Sequence, residues 1–316
     1  MDALLTRREF TATGAALATA VLPPLGTAAT LAPPHAAPST SHARTYIHLF
    51  HPGGWPATEL WDPKPYTPLR PNMRGSDLLS TCESIPTSAP AIRLGAGLDA
   101  LAPLMHRATI IRSLVDDEAQ PHEAIDHAIA QQRMLDALTF EKPGSRLFRL
   151  NEDFHFGMDM VTSLTSHPTN ASTKRFRVTL PFNAYRFLDT HESGARAIKE
   201  VKQLIAGKIA AMIASLDAQG RLDETIVCVS SEFSRTIAGT PSRGCDIHTG
   251  ENTRIRSERD YGLHQHFAGS NSLILFGGPF QGGHVIGRTR DHHPMVVAEQ
   301  PVTLAQARRM IAGALA

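Results

Sequence analysis

Glu232 and Arg235 stand three residues apart just past an apolar run, Thr225 to Val229, that is rich in β-branched side chains. That composition marks a strand buried on both faces. A carboxylate and a guanidinium at the end of such a strand can hold a cation and an anion side by side. In open α/β sheets, ligands sit beyond the carboxyl ends of the strands. The same stretch reads equally as a solvated loop with a Glu232–Arg235 ion pair. Asp189-Thr190-His191 repeats the pattern where another apolar segment stops, and side chains at that spacing can reach one ion. His51 opens the glycine turn His51-Pro52-Gly53-Gly54-Trp55 at the end of a third run, Arg44 to Phe50. His264 and His266 precede a fourth, Asn271 to Phe276. Histidine is abundant, with 16 residues, several beside Asp or Glu. Imidazole next to carboxylate suits borderline divalent metals.

These side chains need a sheet to hold them. Arg44 to Phe50, Ala108 to Ile111, Arg175 to Leu180, Thr225 to Val229 and Asn271 to Phe276 read as strands. Leu98 to Met105 reads as a short helix. A further helix is expected from about Pro121, with His122 and Asp126 four apart on one face, as ligands or as a surface couple. Ala195 to Gly220 carries the clearest helical stripe: Ile198, Val201, Leu204, Ile205, Ile209, Met212, Ile213 and Leu216, with Gly220 as a left-handed stop. It leads directly into the strand before Glu232, so strand, helix and strand form the unit of a parallel sheet. Residues 140–174 show no sustained period. A long polar loop joins Ile237 to Leu263, and loops of this length are usually functional or disordered. His266 precedes its strand, so in a parallel sheet that loop would have to fold back to bring it to the carboxyl ends. Thr303 and Gln306 make a capping box for a last helix.

Composition bounds the possibilities. The chain has 316 residues, long enough for a sizeable core in one large domain or two small ones. Apolar residues make up 42% and charged residues 19%, as in ordinary globular proteins. A net charge of +1 without a long basic tract argues against nucleic acid as a partner. Cys82, Cys228 and Cys245 have no metal-site spacing. Cys228 reads as a buried filler, and Cys82 and Cys245 could pair in an oxidising compartment. At the N-terminus, Thr6-Arg7-Arg8-Glu9-Phe10 precedes an apolar stretch from Ala12 to Leu22 and then small residues through Ala37. Residues 1–37 read as a twin-arginine export signal with cleavage near Ala28 or Ala37. The apolar stretch is too short to span a bilayer comfortably. Residues 38–316 are then the mature chain, a single domain, periplasmic or extracellular, with no membrane span.

Taken together, the motifs resemble an exported family known as domain of unknown function 1501, in the alkaline phosphatase and sulfatase superfamily. The resemblance rests on the twin-arginine start, on His48-Leu49-Phe50 with Gly53-Gly54, and on Asp62-Pro63-Lys64-Pro65. It continues with Ile111-Arg112-Ser113 and His122, with Asp189-Thr190-His191, and with Gly220 through Thr225. Ser231-Glu232-Phe233, Arg235-Thr236, His266, Gly277-Gly278 and Gly282 through Gly287 complete it. It implies an α/β fold with a mostly parallel central sheet flanked by helices, alkaline phosphatase-like. It also implies one or two divalent ions, of Zn, Mn, Ca or Mg, held by Asp189, His191, Glu232 and His266. Phe233 stands where the related sulfatase strand has a metal-binding histidine.

The implied reaction is hydrolysis of a small phosphate or sulfate ester. Arg235 would clamp the anion, and His51 would act as a further ligand or as an acid. Thr58 is the hydroxyl nearest the position where family members carry a serine nucleophile, filled here by Pro56. Glu59 replaces the Asp that usually follows, and the region around residues 135 to 175 lacks a block that longer members have. Pro56 and the shortened middle favour a second expectation: a non-catalytic exported protein that keeps the fold, with or without a structural metal, and serves as a binding or assembly partner at the cell envelope.

Overall fold

The computed structural model describes residues 42–116, 127–140, 147–150, 157–159, 161–163, 174–179, 188, 190, 195–236, 254–267, 269–292 and 295–315. Its centre is a sheet whose main strands are β1 (Thr45–Phe50), β2 (Ala108–Val115), β3 (Leu147–Leu150), β4 (Lys174–Thr179), β5 (Thr225–Ser230), β8 (Asn271–Gly277) and β9 (His284–Ile286). The spatial order is β9-β2-β8-β5-β1-β4-β3, and β10 (Val302–Thr303) also pairs with β2. Two short strands, β6 (Ser234–Thr236) and β7 (Gln265–Phe267), form a separate antiparallel pair.

Most neighbours run parallel, as expected: β1 with β4 and β5, β3 with β4, and β2 with β9 and β10. β8 is the exception, antiparallel to both β2 and β5. Its first residue, Asn271, therefore lies at the rim where β1, β2 and β5 end. The expected fold-back of the loop before His266 is not needed, because β8 starts at the carboxyl rim.

The alternation of side chains explains the layering. On one face Ile47, Leu49, Val227, Val229, Ile274 and Phe276 pack against helix α2 (Ala195–Ala218) through Ile205, Ile209, Met212, Ile213 and Leu216. On the other face Tyr46, Phe50, Ile226, Cys228, Leu273 and Leu275 meet α1 (His127–Leu138) and α3 (Leu304–Ala314) through Met134, Leu138, Ala307 and Ile311. Every residue of β1, β5 and β8 is buried. A strand covered by helices on both sides has no polar face, which is why its sequence reads as an unbroken apolar run.

Helix α2 crosses between β4 and β5, both parallel to β1, as the strand–helix–strand reading requires. Gly220 ends it at φ +64°, as expected. Leu204, counted in the apolar stripe, is instead exposed. The short helix expected at Leu98 to Met105 is a 3-10 segment over Ala102–Arg107, where Pro103 removes a helical donor. β2 runs four residues beyond the expected Ile111. β3 lies in the stretch where no period was legible. The capping box at Thr303 and Gln306 is present. Cys82 is a free thiol, 3.4 Å from Lys202 Nζ, so the pairing with Cys245 is not made. Among the described residues no helix is long and apolar enough to cross a membrane. The export signal, the His122–Asp126 pair, Asp189 and His191 fall outside the described residues.

Candidate active site at the carboxyl rim

β1 and β5 end side by side and hand their chains to two turns that bind each other. The His51 N–H donates to the Ser230 carbonyl (2.9 Å), extending the ladder by one residue. Gly53 and Gly54 then take φ +99° and +71°, values that glycine adopts without strain. Trp55 rejoins the other chain, donating to the Phe233 carbonyl (3.2 Å) and accepting from the Arg235 N–H (3.0 Å).

Side chains complete the junction. Gly53 N–H donates to Glu232 Oε1 at 2.6 Å. The Ser231 hydroxyl lies 2.7 Å from the His51 carbonyl and 3.0 Å from Glu232 Oε2 and shares its proton between them. Arg235 is fully buried, and its Nε donates to the carbonyls of Gly53 (2.8 Å) and Gly54 (3.3 Å), while Nη2 also reaches Gly53. The carboxylate and the guanidinium therefore grip the same glycine turn and are no solvated ion pair: Glu232 is 5% exposed and Arg235 0%. Asn271, at the start of β8, ties the rim from a third strand. Its amide accepts from the Trp55 indole (2.9 Å) and donates to the Ser231 carbonyl (2.8 Å). Sequence reasoning passed over Asn271, although a polar residue opening an apolar strand was the available signal.

His266 lies opposite Arg235 in the β6–β7 pair, and its ring packs on Phe233 with centroids 4.4 Å apart. Two residues earlier, the His264 N–H donates to the Thr190 carbonyl at 3.0 Å. The backbone between Asp189 and His191 is thus bonded to the segment that carries His266. Thr58 sits in a turn that packs against β6. It is buried in a 3-10 turn, Ala57–Glu59, and its hydroxyl has no hydrogen-bond partner. Glu59 accepts from the Thr81 N–H and hydroxyl, both at 2.7 Å.

Burial lowers the His51 pKa to about 4, so its ring is neutral at neutral pH. A neutral imidazole can ligate a metal or accept a proton, whereas an acid for the leaving group would have to be protonated. Folded His51 takes its proton only near pH 4, while an unfolded histidine takes it near 6.5. Protonation therefore favours the unfolded chain as pH falls. The metal-free protein is expected to keep this contribution above pH 6.5 and to lose roughly 3 kcal/mol between 6.5 and 4. Denaturant midpoints across that range, compared with His51→Asn, check it: the variant should lose part of the acid slope, and an unchanged slope would refute the assignment.

Glu232 and His51 offer a carboxylate and a neutral imidazole, a donor set that suits a divalent ion. Among the described residues no group of three or more His, Cys, Asp or Glu side chains is arranged to hold one. The other candidates, Asp189 and His191, lie outside the described residues.

The model of a family described as protein of unknown function (DUF1501) matches residues 163–312, a little under half of the chain, and supports the family resemblance over that span. No curated protein matches. Among solved structures, murine ectonucleotide pyrophosphatase/phosphodiesterase 5 in complex with AMP is 8% identical, with a TM-score of 0.31, covering 50% of this chain and 58% of its own. The present chain thus spans little more than half of that protein. The lipoteichoic acid synthase LtaP from Listeria monocytogenes is 8% identical, with a TM-score of 0.38 and coverage of 78% and 68%. The C-terminal periplasmic domain of EcEptC from Escherichia coli, in complex with Zn, is 12% identical, with a TM-score of 0.34 and coverage of 86% and 82%. At these TM-scores the likeness carries no argument about activity.

Proposed function

We propose that the carboxyl rim of this sheet is a site for hydrolysis of a small phosphate or sulfate ester, supported by a divalent metal. The observation that supports the reading best is a set of hydrogen bonds and strand pairings between segments next to the candidate ligands. Gly53 bonds Glu232, His266 lies in register with Arg235, and His264 bonds Thr190 between Asp189 and His191. Asp189, His191, Glu232 and His266 would hold the ion or ions, of Zn, Mn, Ca or Mg. When bound, such a metal polarises the ester and makes a nucleophile of a water at neutral pH.

The chain's own residues do the remaining work. Glu232 is held by Gly53 and Ser231 and presents a carboxylate of fixed orientation. Arg235 is anchored through Nε and Nη2 on the Gly53 and Gly54 carbonyls, and its fixed positive charge beside the turn would attract a tetrahedral anion. Neutral His51 serves as a further ligand or proton acceptor, and Thr58 is the candidate nucleophilic hydroxyl. Export by the twin-arginine route, to the periplasm or outside the cell, is part of the same proposal and rests on Thr6 through Phe10.

The test is turnover of aryl phosphate and aryl sulfate esters with each metal added back. Hydrolysis should fall on the order of 100-fold in Glu232→Gln and in His191→Ala. No turnover with any metal, or a Glu232→Gln variant as active as the parent, would sink the proposal. A second reading is favoured by Thr58, whose hydroxyl is buried and makes no hydrogen bond that would activate it. In that reading the protein is a non-catalytic, exported metal-binding or assembly protein with an envelope protein as partner. Tight metal binding without turnover would support it.

A further inference from the structure

Two motifs that the rim site does not use meet beside the carboxyl end of β2. Asp62-Pro63-Lys64-Pro65 lies just past the Trp55–Trp61 contact, and Arg288-Thr289-Arg290-Asp291 follows β9. The Thr289 hydroxyl donates to Asp62 Oδ2. Lys64 Nζ lies 3.1 Å from Asp62 Oδ2 and 3.2 Å from Asp291 Oδ1. Arg112, on β2, approaches Asp62 from another side, with Nε 3.5 Å from Oδ1, and also donates to the carbonyls of Trp61 and Arg93. Arg288 holds the outer oxygen of Asp291 at 2.7 Å and lies 3.7 Å from Glu299.

The buried members of this group do not balance by themselves; the group is neutral only when the surface residues Arg288, Asp291 and Glu299 are counted. The Lys64 and Asp62 side chains are 2% and 8% exposed and Arg112 is 17% exposed, so two interior cations share one interior carboxylate. The remaining positive charge is met by Asp291, whose side chain is half exposed and sits on a surface turn with exposed Arg288, Arg290 and His292. A buried ammonium needs an anion close by, because burying an uncompensated charge is costly. The anion here comes from solvent's side and is held between Lys64 and Arg288. Another anion arriving from solvent would find the same two donors.

We propose that Lys64 and Arg288, backed by Arg112, form an oxyanion subsite for a phosphate or sulfate group, and that Asp291 is an internal carboxylate exchanged for that group on binding. The subsite is independent of Glu232 and of any metal, so its failure would leave the proposed reaction untouched.

The test titrates the purified protein with inorganic sulfate and, separately, inorganic phosphate at constant ionic strength in chloride, following heat and Tm. Asp291→Asn removes the competing charge and should bind either ion about tenfold more tightly than the parent. Adding Arg288→Gln, a change at an exposed position, should reverse most of that gain. Lys64→Met should abolish binding in both backgrounds; should it fail to fold, the Arg288 arm still decides. An Asp291→Asn protein that binds sulfate and phosphate no more tightly than the parent would overturn the proposal. So would a gain that Arg288→Gln leaves intact.

Discussion

Arg235→Ala is expected to destabilise the protein by about 3–5 kcal/mol, and Arg235→Lys to recover only part of the loss. The guanidinium is fully buried and its planar fork meets the Gly53 carbonyl with two nitrogens while Nε also reaches Gly54. Removing it leaves those buried carbonyls short of donors and empties a large volume between the two turns. Lysine restores a charge but is a compact donor on a flexible stem, and it cannot reproduce the fork. Arg235 also lies over the Phe233 ring, 5.6 Å from its centroid, a contact of a few tenths to about 1 kcal/mol. Urea midpoints of the three proteins check the expectation. A lysine variant as stable as the parent would show that the fork geometry is irrelevant.

Gly54→Ala should be nearly as damaging, about 3–4 kcal/mol, and for two separable reasons. At φ +71° a side chain adds backbone strain of about 1–2 kcal/mol whatever surrounds it. A Cβ there would also lie 2.1 and 2.4 Å from two carbons of the Phe233 ring. That ring is buried and lies against His266, so it has little freedom to retreat. Combining Gly54→Ala with Phe233→Leu should remove the collision and keep the strain, giving a favourable coupling of about 1–3 kcal/mol in a double-mutant cycle. Strictly additive effects would mean that the ring moves aside at no cost. A shift in the His266 ring environment in Gly54→Ala, read by NMR, would trace the same push through Phe233.

What the sequence disclosed follows from how each feature is encoded. The strands ending at Phe50 and Ser230 and helix α2 were legible because burial writes an apolar run or a periodic stripe into the chain. The glycine turn and the Glu232–Arg235 pair were legible as an abrupt change from apolar to polar. Their bonding was not, because it depends on β1 and β5 being neighbours, and sequence order does not show that. The orientation of β8 was hidden for the same reason: an apolar run has no direction. Asn271 escaped notice because one amide before a strand looks like an ordinary loop residue until Trp55 and Ser231 are beside it. Leu204 was misplaced because a stripe of eight apolar residues is wider than the face that α2 buries. The Lys64–Asp291 contact joins residues more than two hundred positions apart, and neither motif hints at the other.

Whether Glu232 belongs to a metal-supported site at the carboxyl rim is read by elemental analysis of the purified folded protein and of Glu232→Gln. A stoichiometric divalent ion is expected in the parent, and its loss, or a large fall in occupancy, in a variant that remains folded. A parent protein that binds no divalent ion even when Zn, Mn, Ca or Mg is supplied, or a folded Glu232→Gln that holds the metal as tightly as the parent, would contradict it.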